Sequence, residues 1–353
     1  MERKSPTEKK IITDLDHDQL IAWLSEHGFP SFHAAQIFNW IYLKAATAFD
    51  AMTDLSKELR RSLDLSFYPL GTILRQSLSD PTGVMKFVLA LQDSHVVETV
   101  YIPSETGYTL CVSSQVGCVL GCRFCATGAM GIVRNLSSGE ILSQVLHAQK
   151  ITGCGSHGNI VFMGMGEPLL NSDAVIEAIK KLTDARGLGW SPRRITVSTA
   201  GIVPEIHRLG KAGLGVNLAV SLNAADDTTR SRIMPINKKY PLKTLLAALN
   251  AYPLPSRQHQ ITCEYVMLQG VNDALQQADK LVRLLNRRRY KINLIPFNAS
   301  SNSPFTCSDP DTISAFQKRL HDAGFIVRIR NSRGAGIQAA CGQLAGDPGH
   351  SHS

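Results

Sequence analysis

The sequence lacks any apolar run near the roughly 18–20 residues that are needed to span a bilayer. Its first ten residues are polar and charged with no apolar segment behind them, so no secretory signal is expected. Charge is also scarce, because only 19% of the 353 residues are charged whereas 44% are hydrophobic. This composition excludes a wholly disordered chain. We therefore expect a folded cytoplasmic protein with no membrane partner.

Acidic residues are outnumbered, since 37 Lys and Arg against 29 Asp and Glu give a formal net charge of +8. Such a balance suggests a polyanionic partner without identifying it. The chain also contains eight cysteines. In a reducing compartment these favour metal, redox or catalytic roles over a disulfide framework.

Composition divides the chain into five segments. Residues 1–13 are predicted to be a flexible tail, and residues 14–71 a small helical accessory domain whose third helix has Asp54 as its N-cap. Residues 72–110 contain short β-prone runs separated by turns, which predict a small antiparallel element bridging to the main domain. Residues 111–347 form that main domain, and residues 348–353 a disordered tail.

The main domain alternates strand-like and helical patterns. Strands are predicted at 110–116, 159–164, 194–199, 216–222, 261–267 and 291–297. Helices are predicted at about 137–150, 172–183, 203–211, 241–251, 275–287 and 310–322. This order is typical of parallel βα units and of an α/β fold. Six units are too few for an eight-stranded barrel, so we expect an open partial barrel or a doubly wound sheet, with the site at the carboxyl ends of the strands.

Three cysteines, Cys118, Cys122 and Cys125, follow the first of these strands with x3 and x2 spacing. Thiolates are the ligands of iron–sulfur clusters, which normally take four cysteines, so a missing fourth leaves one iron open to a substrate or cofactor. Structural zinc also takes four ligands, and Cys111 lies only seven residues upstream. Zinc therefore stays open as the less favoured alternative.

The Cys118–Cys125 motif, with Phe124 before its last cysteine, resembles the signature of the radical S-adenosylmethionine (radical SAM) superfamily. The resemblance implies that the three cysteines bind one [4Fe–4S] cluster and that S-adenosylmethionine chelates the open iron. An electron from the cluster would then generate a 5′-deoxyadenosyl radical. It also implies a partial (β/α)6 barrel.

Further segments resemble the adenine-C2 RNA methyltransferases, the RlmN-like branch of that superfamily. They lie in family order at 109–118, 163–171, 197–201, 234–240, 293–298 and 339–346, and the resemblance extends from about residue 30 to 347. It implies methylation of C2 of adenosine in 23S rRNA, at the peptidyl-transferase centre, and in tRNA, at the adenosine 3′ of the anticodon. Two S-adenosylmethionine molecules would be used per turnover.

The same resemblance implies roles for three residues outside the cluster motif. Cys341 would be methylated first, and the carbon radical formed on that methyl group would add to adenine, joining enzyme and RNA. Cys111 would help to resolve the adduct and leave a transient Cys111–Cys341 disulfide. Glu98 aligns with a glutamate that accepts a proton. The remaining cysteines, Cys154, Cys263 and Cys307, are predicted to be structural.

Residues at strand ends match S-adenosylmethionine-binding positions of the family. Glycine permits close approach of a ligand, and a carboxylate accepts hydrogen bonds from the methionyl ammonium. The chain departs from the family at two places, with Asn223 where His is common and Gly336 where Asp is usual. The predicted binding residues are Gly166, Glu167, Ser198, Ser221, Leu222, Asn223 and Asn298.

Two other functions remain open. One is C8 methylation of 23S rRNA adenine by a Cfr-like enzyme that gives antibiotic resistance, although Pro168 and Pro296 are typical of the C2 branch. The other is a non-catalytic, zinc-containing RNA-binding module. Basic groups that could contact RNA phosphates if they face one mouth are Arg193–Arg194, Lys238–Lys239, Arg287–Arg289 and Arg328 with Arg330. We expect a monomer that receives electrons from a reductase or flavodoxin-type donor.

Overall fold

The structure is a computed structural model that describes residues 9–256, 258–299, 303–330 and 333–345. Its N-terminal part has helices framed by two short strands: β1 (Lys10–Ile11), α1 (His17–Glu26), α2 (His33–Phe38), α3 (Lys57–Ser66) and β2 (Phe67–Tyr68). The predicted flexible tail of residues 1–13 is too long. Residues 1–8 lie outside the described part, but β1 pairs in parallel with β2, and Ile12 is buried. The predicted tail at 348–353 also lies outside the described residues.

The region predicted as a bridging element contains antiparallel strands. These are β3 (Thr72–Ser79), β4 (Met85–Leu91), β5 (Val96–Ser104) and β6 (Gly107–Cys111). They do not form a separate sheet, because β6 also pairs in parallel with the strand at Asn159–Phe162. The predicted boundary between residues 110 and 111 therefore falls inside a strand, and the element is an extension of the main sheet.

The chain after Cys111 departs from the prediction of a single strand over 110–116. It leaves the sheet and forms a hairpin of β7 (Gln115–Cys118) and β8 (Gly131–Asn135), with the short helix α4 (Ala126–Ala129) between them. The backbone N–H of Ser113 donates to Gln144 Oε1 (2.8 Å), and that of Ser114 donates to the carbonyl of Met165 (2.8 Å). These long-range bonds redirect the chain, and local β-propensity does not reveal them.

The alternating units follow as predicted. Their elements are α5 (Ser138–Thr152), β9 (Asn159–Phe162), α6 (Ser172–Thr183), β10 (Ile195–Thr199), α7 (Val203–Lys211), β11 (Asn217–Ser221), α8 (Asp227–Ile233), α9 (Leu242–Ala251), β12 (Ile261–Met267), α10 (Leu275–Leu284), β13 (Tyr290–Pro296), α11 (Pro310–Asp322) and β14 (Val327–Ile329). In the described residues they add to one ten-stranded sheet of order β14-β13-β12-β11-β10-β9-β6-β5-β4-β3. Pairing from β6 to β14 is parallel, so the carboxyl ends of these strands share one edge. The predicted α/β partial barrel is confirmed, with β14 as an additional short strand.

Capping residues explain where the helices begin. Helix α5 starts with a capping box, in which Ser137 Oγ accepts the N–H of Glu140 (3.2 Å) and Glu140 Oε2 accepts the N–H of Ser137 (2.9 Å). Helix α3 begins after Ser56, whose hydroxyl accepts the N–H of Leu59. The predicted N-cap, Asp54, is wrong, because its carboxylate accepts a hydrogen bond from the indole of Trp40 instead.

One hydrophobic core joins the N-terminal helices to the sheet, with Leu24 and Leu59 in the same buried cluster as Leu142 and Ile160. A polar contact fixes the two parts as well, since Asp14 Oδ1 accepts the N–H of Gly139 (2.6 Å) at the start of α5. None of the described helices combines the length and apolar character that a membrane crossing requires.

Candidate active site

The three motif cysteines lie on the loop that leaves β7, residues 118–125, which we call the cysteine loop. Gly117, just before Cys118, has a left-handed backbone (φ +76°), and a Cβ there would lie 2.0 Å from the carbonyl oxygen of Gly131. Only glycine lets the two strands of this hairpin approach so closely. The loop then folds back on itself, because the N–H of Cys125 donates to the carbonyl of Cys122 (3.1 Å). This conformation gathers the cysteines at the strand-end edge.

The thiols of Cys118 and Cys122 are costly to ionise on their own. Burial raises the pKa of Cys118 to about 11 and raises that of Cys122 still further. The nearby Cys125 and Glu167 add to both shifts, whereas a hydrogen bond from the backbone of Leu120 lowers the pKa of Cys118. Thiolates here need a compensating positive charge, which the iron atoms of a cluster supply.

The three cysteines could hold either a metal cluster or a single ion. In the described ranges, no three His, Cys, Asp or Glu side chains converge as a mononuclear metal site would require. A cluster differs because each thiolate binds a separate iron atom, so the sulfurs stay further apart. Three cysteines on one loop match the ligand set of the iron–sulfur cluster that the family resemblance implies.

Glu167 lies at the edge of the sheet where the parallel strands end, beside the cysteine loop. Its side chain is buried, with Oε2 accepting the N–H of Ala200 (2.7 Å) and Oε1 accepting that of Leu169 (3.1 Å). Burial raises the pKa of Glu167 to about 7, so a cationic ligand would stabilise its charged form. The preceding Gly166 has φ +96°, and a Cβ there would lie 2.5 Å from Cβ of Gln115. Both residues suit the predicted ammonium site.

The other predicted binding residues also lie at strand ends, but they differ in their contacts. Ser198 is on β10, and Ser221 is the last residue of β11. Leu222 is buried, and its backbone N–H donates to the carbonyl of Glu264 (3.0 Å). Asn298 follows β13, and its Nδ2 lies 3.4 Å from the carbonyl oxygen of Cys341.

Asn223 is used by the fold itself. Its Oδ1 accepts the N–H of Val266 (2.8 Å), and its Nδ2 donates to the sulfur of Met234 (3.2 Å). Its backbone is left-handed, with φ +57°. The side chain therefore holds the end of β12 and Met234 in place, and its contact with the cofactor stays a prediction.

Arg230 is a site residue that sequence reasoning missed. It is fully buried on α8, and none of the described carboxylates forms an ion pair with its guanidinium. The guanidinium donates instead to the carbonyls of Leu222 (3.0 Å), Ala200 (2.7 Å) and Ser221 (3.1 Å). Burial lowers its pKa to about 10, while the nearby Cys122 favours its charged form. Arg230 thus ties the ends of β10 and β11 together next to the cysteine loop.

Cys341 lies on the segment of residues 333–345, which we call the Cys341 loop. The carbonyl of Gly342 accepts the N–H of Ala126 (2.8 Å), and the carbonyl of Leu344 accepts the hydroxyl of Thr127 (2.6 Å). Both donors follow Cys125 directly, so the Cys341 loop packs against the cysteine loop. At Gly336, where the family has Asp, a Cβ would meet no atom within 4 Å.

The two thiols outside the motif are brought together, and both are free cysteines in the structure. Burial strongly raises the pKa of Cys111 at the end of β6, and the nearby Cys341 raises it further. Although Cys341 as a residue is exposed, desolvation of its thiol raises its pKa to about 11, with further contributions from Glu264 and Cys125. Cys341 therefore lies within electrostatic reach of both Cys111 and the cysteine motif.

Glu98 lies on β5 and is buried, with 3% of its surface exposed. Its Oε1 pairs with Nζ of Lys86 (2.8 Å), and its Oε2 accepts the N–H of Ala345 (3.0 Å). The predicted catalytic carboxylate therefore touches the end of the Cys341 loop. Lys86 was missed, although a single lysine within the apolar run of β4 is a sign of a buried partner.

The basic groups do not converge on one mouth. Arg193 and Arg194 precede β10, and Arg287–Arg289 precede β13, so these groups lie at the amino ends of the strands. Arg289 is also used internally, because it donates to the carbonyls of Leu249 and Tyr252. Arg193–Arg194 and Arg287–Arg289 therefore do not meet the condition that the basic groups face one mouth at the carboxyl ends. Arg330, by contrast, acts electrostatically on Cys341.

Comparison with known proteins agrees with this geometry. Residues 12–68 match the family described as the ribosomal RNA large subunit methyltransferase N-terminal domain, and residues 112–302 match the radical SAM superfamily. A solved structure described as a radical SAM methyltransferase from Sphaerobacter thermophilus superposes with a TM-score of 0.92 and 38% identity. The match covers 96% of this chain and 100% of that one.

Curated relatives are similar over nearly their whole length. The dual-specificity RNA methyltransferase RlmN of Geobacter sulfurreducens is 50% identical, over 95% of this chain and 92% of the relative. The protein of the same name from Geotalea uraniireducens is 47% identical, over 96% and 97%. Together with the strand-end site and its cysteine motif, these matches show that the chain belongs to the RlmN family of the radical SAM superfamily.

Proposed function

We propose that this chain is a dual-specificity RNA methyltransferase acting on C2 of adenosine in 23S rRNA and in tRNA. The sites are those that the family resemblance implies, at the peptidyl-transferase centre and 3′ of the anticodon. The observation that carries the proposal is that the loop of Cys341 packs against the segment after Cys125, with Cys341 in electrostatic reach of Cys111. A thiol that interacts with both groups can take a methyl group beside the cofactor and pass it to RNA.

Cys118, Cys122 and Cys125 are the proposed ligands of one [4Fe–4S] cluster. When bound, the cluster supplies the electron that cleaves S-adenosylmethionine to a 5′-deoxyadenosyl radical. The buried thiols of Cys118 and Cys122 and the missing fourth cysteine support this assignment. Arg230, which interacts with Cys122, would add a fixed positive charge beside the ligands.

S-adenosylmethionine is proposed to bind along the strand-end edge. The buried Glu167 carboxylate would accept hydrogen bonds from its ammonium group, and Gly166 would let the backbone approach it. Ser198, Ser221 and the backbone of Leu222 lie at the ends of the next strands along this edge. Asn298 and Asn223 would position these contacts from their own hydrogen bonds.

The thiol pair would perform the transfer. Cys341 would carry the methyl group, and the methylene carbon would become joined to adenine C2. Glu98 would accept the proton lost from adenine C2, and one electron would leave the radical adduct as well. The Cys111 thiolate would then attack the Cys341 sulfur, which forms the disulfide and breaks the bond between that sulfur and the methylene carbon. The released carbon would take a proton from solvent and become the methyl group of the base. A thiolate that attacks sulfur is ordinary thiol–disulfide chemistry, and the covalent adduct divides one difficult step into easier ones.

The partners follow from this chemistry. The target base must leave its stack to reach a strand-end pocket, so the RNA substrate would bind with that base flipped out. The disulfide and the cluster both need electrons, for which we infer a reductase or flavodoxin-type donor. We infer that the enzyme acts in the cytoplasm as a monomer.

The position of the methyl group tests the function directly. We expect 23S rRNA and tRNA from cells with the protein to contain 2-methyladenosine at the two sites, and RNA from cells without it to lack this base. Nuclease digestion followed by mass spectrometry distinguishes C2 from C8 products. Finding 8-methyladenosine instead would support the Cfr-like alternative and overturn the proposal.

Metal content tests the cluster. Anaerobically purified protein should be brown, with about four irons and four sulfides per chain. The Cys118→Ala variant should lose this iron, whereas Cys263→Ala should keep it, because Cys263 is a buried strand cysteine outside the loop. Colourless protein with one zinc per chain would point to the non-catalytic RNA-binding module.

Replacing Cys341 separates cofactor cleavage from transfer. The Cys341→Ala variant is expected to make no methylated RNA but still to release 5′-deoxyadenosine, because the cluster ligands are intact. Liquid chromatography with mass spectrometry measures both products. Cys307→Ala is the matched control, since Cys307 is also exposed, and it should behave as wild type. Methylation by Cys341→Ala would exclude a carrier role.

Replacing Cys111 should stop the reaction at the covalent stage. Without the attacking thiol, the Cys111→Ala variant is expected to accumulate a protein–RNA adduct on Cys341, visible as a shifted band on a denaturing gel. Adding Cys341→Ala to this variant should remove the band, and Cys263→Ala alone should not produce it. Normal turnover by Cys111→Ala would argue that another group resolves the adduct.

A further inference from the structure

Two charged side chains outside the cysteine motif hold the Cys341 loop at two points. Nζ of Lys86 lies 3.4 Å from the carbonyl oxygen of Gln338, three residues before Cys341. Oε2 of Glu98 accepts the N–H of Ala345, four residues after it. Lys86 and Glu98 are themselves paired at 2.8 Å. One ion pair thus contacts the loop on both sides of the reactive thiol.

The sheet fixes this ion pair. Lys86 on β4 is opposite Val100 on β5, and Glu98 on β5 is opposite Val88 on β4. The two residues are therefore diagonal neighbours on the same face of an antiparallel pair, where long side chains reach each other. Because both strands are internal to the sheet, the charges cannot move far without breaking its hydrogen bonds.

Burial of the Lys86–Glu98 pair costs desolvation free energy. The side chains of Lys86 and Glu98 are only 7% and 4% exposed. Desolvation of two charges can exceed their mutual attraction, so such a pair often adds little to stability over well-packed apolar residues. A role in fixing the position of a neighbouring segment explains its presence better than a contribution to global stability.

The contacts nearer Cys341 are neutral. They are backbone or hydroxyl bonds from Ala126, Thr127 and the amide of Asn298. Neutral hydrogen bonds are roughly half as strong as those to a charged group. The loop is therefore held most firmly beside the sheet extension and less firmly beside the cysteine loop.

We propose that Lys86 is a positioning residue that, together with Glu98, holds the Cys341 loop so that its thiol faces Cys111 and the cysteine motif. This inference rests on the proposed carrier role of Cys341. Lys86 donates a hydrogen bond to the carbonyl of Gln338 directly. It affects the contact at Ala345 indirectly, because it pairs with Glu98, whose carboxylate accepts the N–H of Ala345. Removing its ammonium group deletes the contact with Gln338 and takes a positive charge away from Glu98, which weakens the hold on the loop.

The test compares Lys86→Met, Lys86→Arg and wild type in the holoenzyme. Displacement of a reacting group by about 1 Å can cost about a hundredfold in rate, so we expect a loss of RNA methylation of that order for Lys86→Met. Release of 5′-deoxyadenosine should continue, because no contact of Lys86 involves the cysteine motif. Lys86→Arg should recover part of the methylation. Lys180→Met, which breaks an exposed ion pair with Glu177, is the matched control and should match wild type.

Two further measurements separate positioning from a general structural effect. Hydrogen exchange should accelerate in residues 333–345 of Lys86→Met but not in β12, and the fraction of Cys341 carrying a methyl group should fall. If Lys86→Met does not fold, Lys86→Met/Glu98→Gln removes both charges, and the same two readouts apply because methylation of Cys341 precedes any proton transfer from adenine. Unchanged loop exchange and unchanged Cys341 methylation would overturn the proposal. If wild type itself leaves RNA unmodified, the proposed function fails, while loop exchange still tests the positioning role.

Discussion

The parallel pairing of β9 to β13 is the constraint on which the site depends. Because all these strands end at one edge, residues separated by more than a hundred positions, from Glu167 to Asn298, meet there. The same geometry collects backbone carbonyls that no further strand can satisfy. Arg230 provides hydrogen bonds to such carbonyls, since its guanidinium donates to carbonyls at the ends of two adjacent strands. These hydrogen bonds to backbone carbonyls hold the Arg230 guanidinium beside the cysteines.

The Cys341 loop connects two parts of the molecule with different tasks. On one side it contacts the segment just after Cys125, and on the other it contacts the antiparallel extension that carries Lys86 and Glu98. The extension is part of the same sheet as the parallel strands, so both supports belong to one framework. A separate bridging element would not explain this support, because side chains of β4 and β5 reach the Cys341 loop.

Much of the fold follows from local pattern. The alternation of apolar runs predicts six βα units, and the helices at 172–183, 203–211 and 310–322 have the predicted bounds. The hairpin after Cys111 was not predicted, because its turn depends on Gln144 and Met165, which are distant in sequence. Arg230 was missed for a similar reason. An arginine in a short polar helix usually faces solvent, and only the strand ends around it explain its burial.

The cysteine motif and the family resemblance identified Cys111, Cys341 and Glu98, but not how they are held. Glu98 illustrates the difference. Local sequence leaves it an exposed strand carboxylate or a catalytic group, whereas the structure buries it against Lys86 and the loop. If it accepts a proton during turnover, the carboxylate that receives it is also the one that holds Ala345. Proton acceptance and the position of the Cys341 loop would then be linked through a single side chain.

Asn223 shows how a departure from the family pattern can be accommodated. Its left-handed backbone, φ +57°, is a conformation that few residues other than glycine adopt, and asparagine is among them. Its carboxamide then reaches the N–H of Val266 at the end of the neighbouring strand, while the amide of Asn272 donates to its carbonyl. These bonds need a short planar group with both a donor and an acceptor, and they need no titratable proton. Asn223 therefore fixes how the ends of the neighbouring strands lie relative to each other. The groups that can react or titrate are the cysteines and carboxylates held beside these strand ends.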